Sequence, residues 1–155
     1  DLLSQEELGI TTVGDVAKRV VEEASSSLTP PGCHFRFHVD GHAAEISGRQ
    51  APLLAVVINE MIANALGHGL RDRTEGDVWI SGRVEGGQVV IRVEDNGRGL
   101  PDDFAPERGR GLGMQIVRTL VTTDLGGRLA MDARPAGGTR VVISFPYRPR
   151  PQEGR

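Results

Sequence analysis

The sequence predicts an α/β (α+β) two-layer sandwich with helices laid on one face of a sheet. Two segments carry apolar residues at helical spacing, and a third apolar segment follows a cluster of glycines. Around them run short β-branched segments joined by Gly- or Pro-rich turns. A helix must bury a stripe and a hairpin sheet must bury a face, and stacking the two layers does both.

The elements follow in order. Residues 1 to 10, DLLSQEELGI, read as the end of a helix followed by a Gly stop. A helix is expected over 12–28. Thr12 can cap it, with Asp15 three residues later as in a capping box. Val13, Val16, Ala17, Val20, Val21, Ala24 and Leu28 share one arc, and Thr29-Pro30-Pro31-Gly32 ends it. Two short strands come next, 35–39 and 43–46, joined by Asp40-Gly41. Residues 51 to 68 form the longest apolar segment, with Pro52 in the first turn and Gly69 at the stop. Strands over 78–84 and 89–94 form a hairpin about Glu85-Gly86-Gly87. Residues 100 to 111 are irregular, and a third helix spans 112–123. Strands over 128–133 and 139–145 flank Pro135-Ala136-Gly137-Gly138. The tail, residues 148–155, is Pro-rich and charged, which predicts disorder.

The 155 residues suffice for one domain with a core, and 38% hydrophobic with 25% charged residues is a soluble globular composition. A net charge of −3 argues against broad attraction to nucleic acid. Cys33 is the only cysteine, so neither an internal disulfide nor a cysteine zinc cluster can form. No apolar run approaches ~18 residues, and no membrane crossing or signal peptide is expected. The chain begins with Asp rather than Met, which suggests a piece of a longer protein.

Four clusters can carry chemistry. Glu60, Asn64 and His68 are four apart and border the apolar arc of Leu54, Val57, Ile58, Met61 and Ala65. Asn offers a neutral oxygen suited to Mg²⁺, Glu can orient or deprotonate a nucleophile, and His can donate to a phosphate. Helical polar residues also simply face water. Asp95-Asn96-Gly97-Arg98-Gly99 ends a strand, where a carboxylate can accept from an exocyclic amine and two glycines let backbone approach a flat ring. Such turns also occur in ordinary loops. Gly109-Arg110-Gly111-Leu112-Gly113 precedes an apolar helix and can meet an anion, or serve as a linker. It is neither a P-loop nor a dinucleotide fingerprint. Gly137-Gly138-Thr139 opens the last strand, as a hairpin turn or as a hydroxyl supporting a carboxylate or a water.

Taken in order, these clusters resemble the ATPase superfamily of gyrase, Hsp90, histidine kinases and MutL over about residues 12–147. NEMIANALGHG is similar to its N box, VEDNGRGLP to its first G box, GRGLGMQIVRTLV to its second, and GGTRVVISFP to its closing strand. The likeness is to the catalytic and ATP-binding domain of sensor histidine kinases, above all the second HisKA-type group. It implies the Bergerat fold, a mixed, mostly antiparallel sheet covered by three helices on one face. It implies that Asn64 coordinates Mg²⁺, Asp95 binds the adenine N6 amine, and Gly97 and Gly99 shape the adenine pocket. Gly109, Gly111, Leu112 and Gly113 would approach the phosphates, Thr139 would support Asp95, and Glu60 and His68 would stand near the γ-phosphate.

The resemblance also implies ATP and Mg²⁺ as ligands and phosphoryl transfer to a histidine. That histidine would sit on a dimerisation domain of the same protein, for relay to a response regulator. Residues 1–10 would end the dimerisation helix, and 11–147 would form the ATP-binding domain. The implied setting is a cytoplasmic domain, with no nucleic-acid partner and no membrane contact of its own, in a full protein that is homodimeric and able to be membrane-anchored. Two departures stand out. Gly67 replaces a residue that is often Lys or another long polar side chain, and only about nine residues separate Gly99 from Gly109. His34, His38 and His42 lack the helical setting of an acceptor. Two alternatives remain: an anti-sigma-factor serine kinase, and a non-catalytic nucleotide-sensing module.

Overall fold

The computed structural model describes residues 9–100 and 112–148. Helix α1 (Val13–Ser27) starts where the Thr12 side chain accepts from the Asp15 amide at 3.0 Å. That bond satisfies a donor with no intrahelical partner. The helix buries Val13, Val16, Ala17, Val20 and Ala24, as the periodicity requires, while Leu28 stays exposed. Helix α2 (Gln50–Asn64) buries Leu54, Val57, Ile58, Met61 and Ile62. It widens into a π turn, Ala65–Gly69, closed by Leu70 N donating to Ala65 O at 2.8 Å. Helix α3 (Leu112–Thr119) does the same through Leu120–Asp124. Contrary to the expectation of no membrane-length segment, Gln50–Gly69 is long and apolar enough to cross a membrane by length and composition. Its buried residues instead place α2 in the core cluster.

Strands β2 (His34–Asp40), β4 (Glu75–Glu85), β5 (Gln88–Asp95), β6 (Arg128–Ala133) and β7 (Thr139–Pro146) form one sheet in the order β2-β4-β5-β7-β6. The β2–β4 pair is parallel and the others antiparallel. Alternation assigns the faces. Val78, Ile80, Ile91, Val93, Val141, Ile143 and Phe145 are buried in one core with residues of the three described helices. Asp77, Trp79, Arg92, Glu94 and Arg140 alternate with them and are only half-buried. The two-layer sandwich, mixed sheet and three helices are therefore as expected.

After Gly9, Ile10–Thr12 is a short strand, β1. One local expectation is corrected. The two strands about Asp40-Gly41 do not form a hairpin. Gly41 O instead accepts from Gly14 N at 3.0 Å, and Ala44 O from Val13 N at 2.9 Å. The segment leaves the sheet to cap the open amides of α1, and β3 (Glu45–Ser47) pairs with β1. Residues 1–8 and 149–155, on which the helix-end and most of the tail expectations fall, lie outside the described residues.

Candidate nucleotide site

Asp95 is the last residue of β5 and is 4% exposed, an unusual place for a carboxylate. Its cross-strand partner is Thr139, the first residue of β7, also buried. Three glycines bring main chain against Asp95. A Cβ on Gly69 would stand 2.5 Å from both carboxylate oxygens. One on Gly97 would overlap the Gly69 carbonyl, and one on Gly138 would overlap the Asp95 main-chain carbonyl. Gly97 N donates to Asp95 Oδ1 at 2.9 Å, and Arg98 N donates to Gly69 O at 2.8 Å. The turn after β5 is thus locked onto the π turn that ends α2.

A cavity of about 20 Å³ opens beside this carboxylate. Met61, Val93, Met131 and Val141 make its apolar walls, and Asn64, Asp95 and Thr139 supply the polar groups. The space suffices for one water. Thr139 Oγ1 and Asn64 Nδ2 are buried without a hydrogen-bond partner. Unpaired buried polar groups are costly unless a ligand or water meets them, so their convergence marks a binding site. A larger groove, about 330 Å³, runs between β1 and the N-terminal halves of α1 and α2, and among the described residues Arg19 is its one ionisable lining group. The buried polar atoms without partners converge at the smaller cavity.

The structure brings several expected residues together. Asn64 and Thr139 line the cavity with Asp95, and Gly97 holds the Asp95 carboxylate. Gly113, in the first turn of α3, packs so closely on Glu60 that a Cβ would overlap Oε2. The glycine-led helix therefore meets α2 at Glu60. The i, i+4 stripe holds from Glu60 to Asn64, but the π turn intervenes before His68, which is exposed. Gly99 adopts a positive φ of 81°, as the turn requires. Gly109 and Gly111 lie outside the described residues, and of Leu112 only its place at the start of α3 is described. One amide with a carboxylate a turn away is a sparse donor set. It fits Mg²⁺, which keeps several waters and takes phosphate oxygens, better than a metal caged by protein alone.

Two contributors escaped sequence reasoning. Gly69 reads only as a helix stop, yet it forms the wall behind the Asp95 carboxylate. Asn96 reads as turn filler, yet its Oδ1 accepts from Asp77 N at 2.8 Å and its Nδ2 donates to Asp77 Oδ2 at 3.1 Å. Asp77 also takes two bonds from the Arg36 guanidinium, at 2.9 and 3.0 Å, and lies 2.8 Å from His38 Nε2. These donors, Arg36 foremost, hold its carboxyl far below its ordinary value of 3.8. A depressed carboxyl adds stability above the ordinary carboxylate range and loses it as pH falls through that range and below. Asp77→Asn has no such contribution to lose. The stability gap between wild type and Asp77→Asn, measured by urea unfolding, should therefore narrow between pH 7 and about pH 3. A constant gap would contradict the ionised network.

Comparison with known proteins identifies the family. The sequence profile described as histidine kinase-, DNA gyrase B- and HSP90-like ATPase matches residues 50–149. The chain is 37% identical over 142 residues to the sensor histidine kinase PdtaS of Mycolicibacterium smegmatis, covering 91% of this chain and 28% of that protein. It is 32% identical over 139 residues to the sensor histidine kinase component HK1 of Mycobacterium tuberculosis, covering 75% of this chain and 77% of that one. The chain thus spans little more than a quarter of the PdtaS length but most of HK1. The solved blue-light activated histidine kinase EL346 of Erythrobacter litoralis superposes with a TM-score of 0.73 at 29% identity, over 87% of this chain and 42% of that one. The chain belongs to the histidine kinase-, DNA gyrase B- and HSP90-like ATPase family, as an ATP-binding catalytic domain of the sensor histidine kinase type.

Proposed function

We propose that this domain binds Mg-ATP and presents the γ-phosphate to a histidine on a helical dimerisation domain of the same protein, for relay to a response regulator. The observation that carries the reading is the buried Asp95 carboxylate, backed by Gly69 and Gly97 and set beside the unpartnered Thr139 hydroxyl and Asn64 amide. In this reading Asp95 accepts from the adenine N6 amine, Thr139 supports it through the space between them, and Gly97 and Gly99 shape the turn that borders the base. Asn64 holds Mg²⁺, and the ion neutralises phosphate charge when bound. Glu60 and His68 stand toward the γ-phosphate, Glu60 to orient or deprotonate the acceptor and His68 to donate to phosphate oxygen. Gly113, with Gly109, Gly111 and Leu112 before it, offers backbone amides to the phosphates at the start of α3.

The reaction asks little covalent chemistry of the protein. Positioning and charge neutralisation carry it. The acceptor histidine and its dimerisation helices precede this domain in the full protein, which acts as a homodimer. The domain works in the cytoplasm, touching neither nucleic acid nor lipid, and alone it binds nucleotide but turns over slowly.

The test is calorimetric titration of the chain with ATP, with and without Mg²⁺, followed by phosphotransfer to the full protein's helical domain supplied in trans. Mg-dependent ATP binding and an acid-labile, base-stable phosphoprotein are the expected results. No Mg-dependent binding would sink the reading in favour of a non-catalytic module, and a phosphoserine on a partner would redirect it to a serine kinase.

A further inference from the structure

The residues that aim Asp95 lie on both faces of the sheet, and one set belongs to the face turned away from the nucleotide cavity. Asp77 lies on β4 next to Val78, the cross-strand partner of Asp95. Its side chain alternates to the open face, and it is engaged from two directions. From β2, Arg36 donates through Nε to Oδ1 at 2.9 Å and through Nη2 to Oδ2 at 3.0 Å, and His38 Nε2 sits 2.8 Å from Oδ1. From the turn, Asn96 Nδ2 donates to Oδ2 at 3.1 Å. Asn96 Oδ1 in turn accepts from the Asp77 amide at 2.8 Å. The Asn96 side chain therefore adds one more rung to the β4–β5 ladder after the strand has ended.

We infer that Asp77 is a positioning residue for adenine recognition, acting through Asn96. Asn96 adjoins Asp95, and Gly97 holds Asp95 Oδ1 at 2.9 Å. On the other side of the turn, Arg98 N donates to Gly69 O at 2.8 Å and its guanidinium donates to Arg71 O at 3.2 Å. The turn is pinned by Asp77 from the open face and by the end of α2 from the core face. Releasing the Asp77 side frees Asn96 to rotate and lets the Asp95 carboxylate swing from the amine. Asp77 never touches the nucleotide. Arg36 and His38 hold the Asp77 carboxylate in the orientation that meets Asn96, so a strand at the sheet edge governs the base pocket. The inference rests on the reading of Asp95 as the adenine acceptor.

Two nucleotides separate positioning from plain structural support: ATP, and purine riboside triphosphate, which lacks the 6-amino group. Wild type should bind ATP more tightly than the amine-free analogue. Asp77→Ala should weaken ATP binding roughly fivefold or more, the scale of one misaimed charged hydrogen bond, and leave the analogue's affinity unchanged. Asn96→Ala cuts the same link while keeping Asp77 paired with Arg36 and His38, and should show the same selective loss. It decides the matter if thermal melting shows Asp77→Ala unfolded. Equal losses for both nucleotides, or no loss in either folded variant, would overturn the positioning role. Equal affinities in wild type would instead overturn the adenine reading of Asp95, and the inference with it.

Discussion

Asp95→Asn should lower the affinity for Mg-ATP by well over tenfold and leave the fold standing. The two carboxylate oxygens can accept several hydrogen bonds. One comes from Gly97 N at 2.9 Å. The group lines the cavity and is 4% exposed, and in the proposed reading it also accepts from the adenine amine. An amide at this position can keep the Gly97 bond through its oxygen, so the turn survives. Its nitrogen then faces the amine donor to donor. Losing a charge-assisted bond costs about 1.5–3 kcal/mol, and the unsatisfied donors add to it. Since about 1.4 kcal/mol is tenfold, the sum lies beyond one decade. Calorimetry with ATP measures it, and a melting curve checks the fold. Affinity within a factor of two of wild type would remove Asp95 from adenine recognition.

Gly69→Ala should damage stability and binding together. The added methyl would stand 2.5 Å from both Asp95 carboxylate oxygens. Relief by backbone movement is blocked, because Gly69 O accepts from Arg98 N at 2.8 Å and Gly97 packs on the same carbonyl. Such overpacking costs about 1–3 kcal/mol, or several degrees of melting temperature in a domain of this size. ATP affinity should fall as well, because the carboxylate is what yields. Combining Gly69→Ala with Asp95→Ala identifies the clash. Removing the carboxylate should recover most of the stability, a non-additivity of about 1 kcal/mol or more. A Gly69→Ala protein that melts and binds like wild type would mean that the carboxylate does not press on Gly69.

Elements with a clear period were legible in the sequence. The arcs of α1 and α2 and the Gly86-Gly87 hairpin appear where spacing and turn chemistry place them. What was hidden has physical reasons. Strands of three residues, such as Ile10–Thr12 and Glu45–Ser47, are too short to show alternation, and their pairing depends on where Gly41 meets α1. A π turn leaves no signature in hydrophobic spacing, so the four-residue spacing alone continues the α2 stripe to His68. Asp95, Asn64 and Thr139 were legible because each carries a functional group in a recognisable motif. Gly69 was not, since a helix-stopping glycine and a wall-forming glycine look alike. Arg36, Asp77 and Asn96 share no motif that links them along the sequence. Only the sheet order, with β2 beside β4 beside β5, brings them to one point.

The walls of the cavity beside Asp95 differ in kind. Gly69 contributes main chain to the wall, with Gly97 and Gly138 packed behind it and Asp95, and a Cβ on any of the three would strike a neighbouring atom. Met61 and Met131 contribute side chains, which are flexible and readily replaced. The pocket therefore has one side that selection cannot remodel by substitution and another that it can. In the proposed reading, tuning for a bulkier purine, whether by drift or by an engineer fitting a modified ATP, runs through the methionine side. Inhibitors that press on the glycine side would meet the surface least able to mutate away from them.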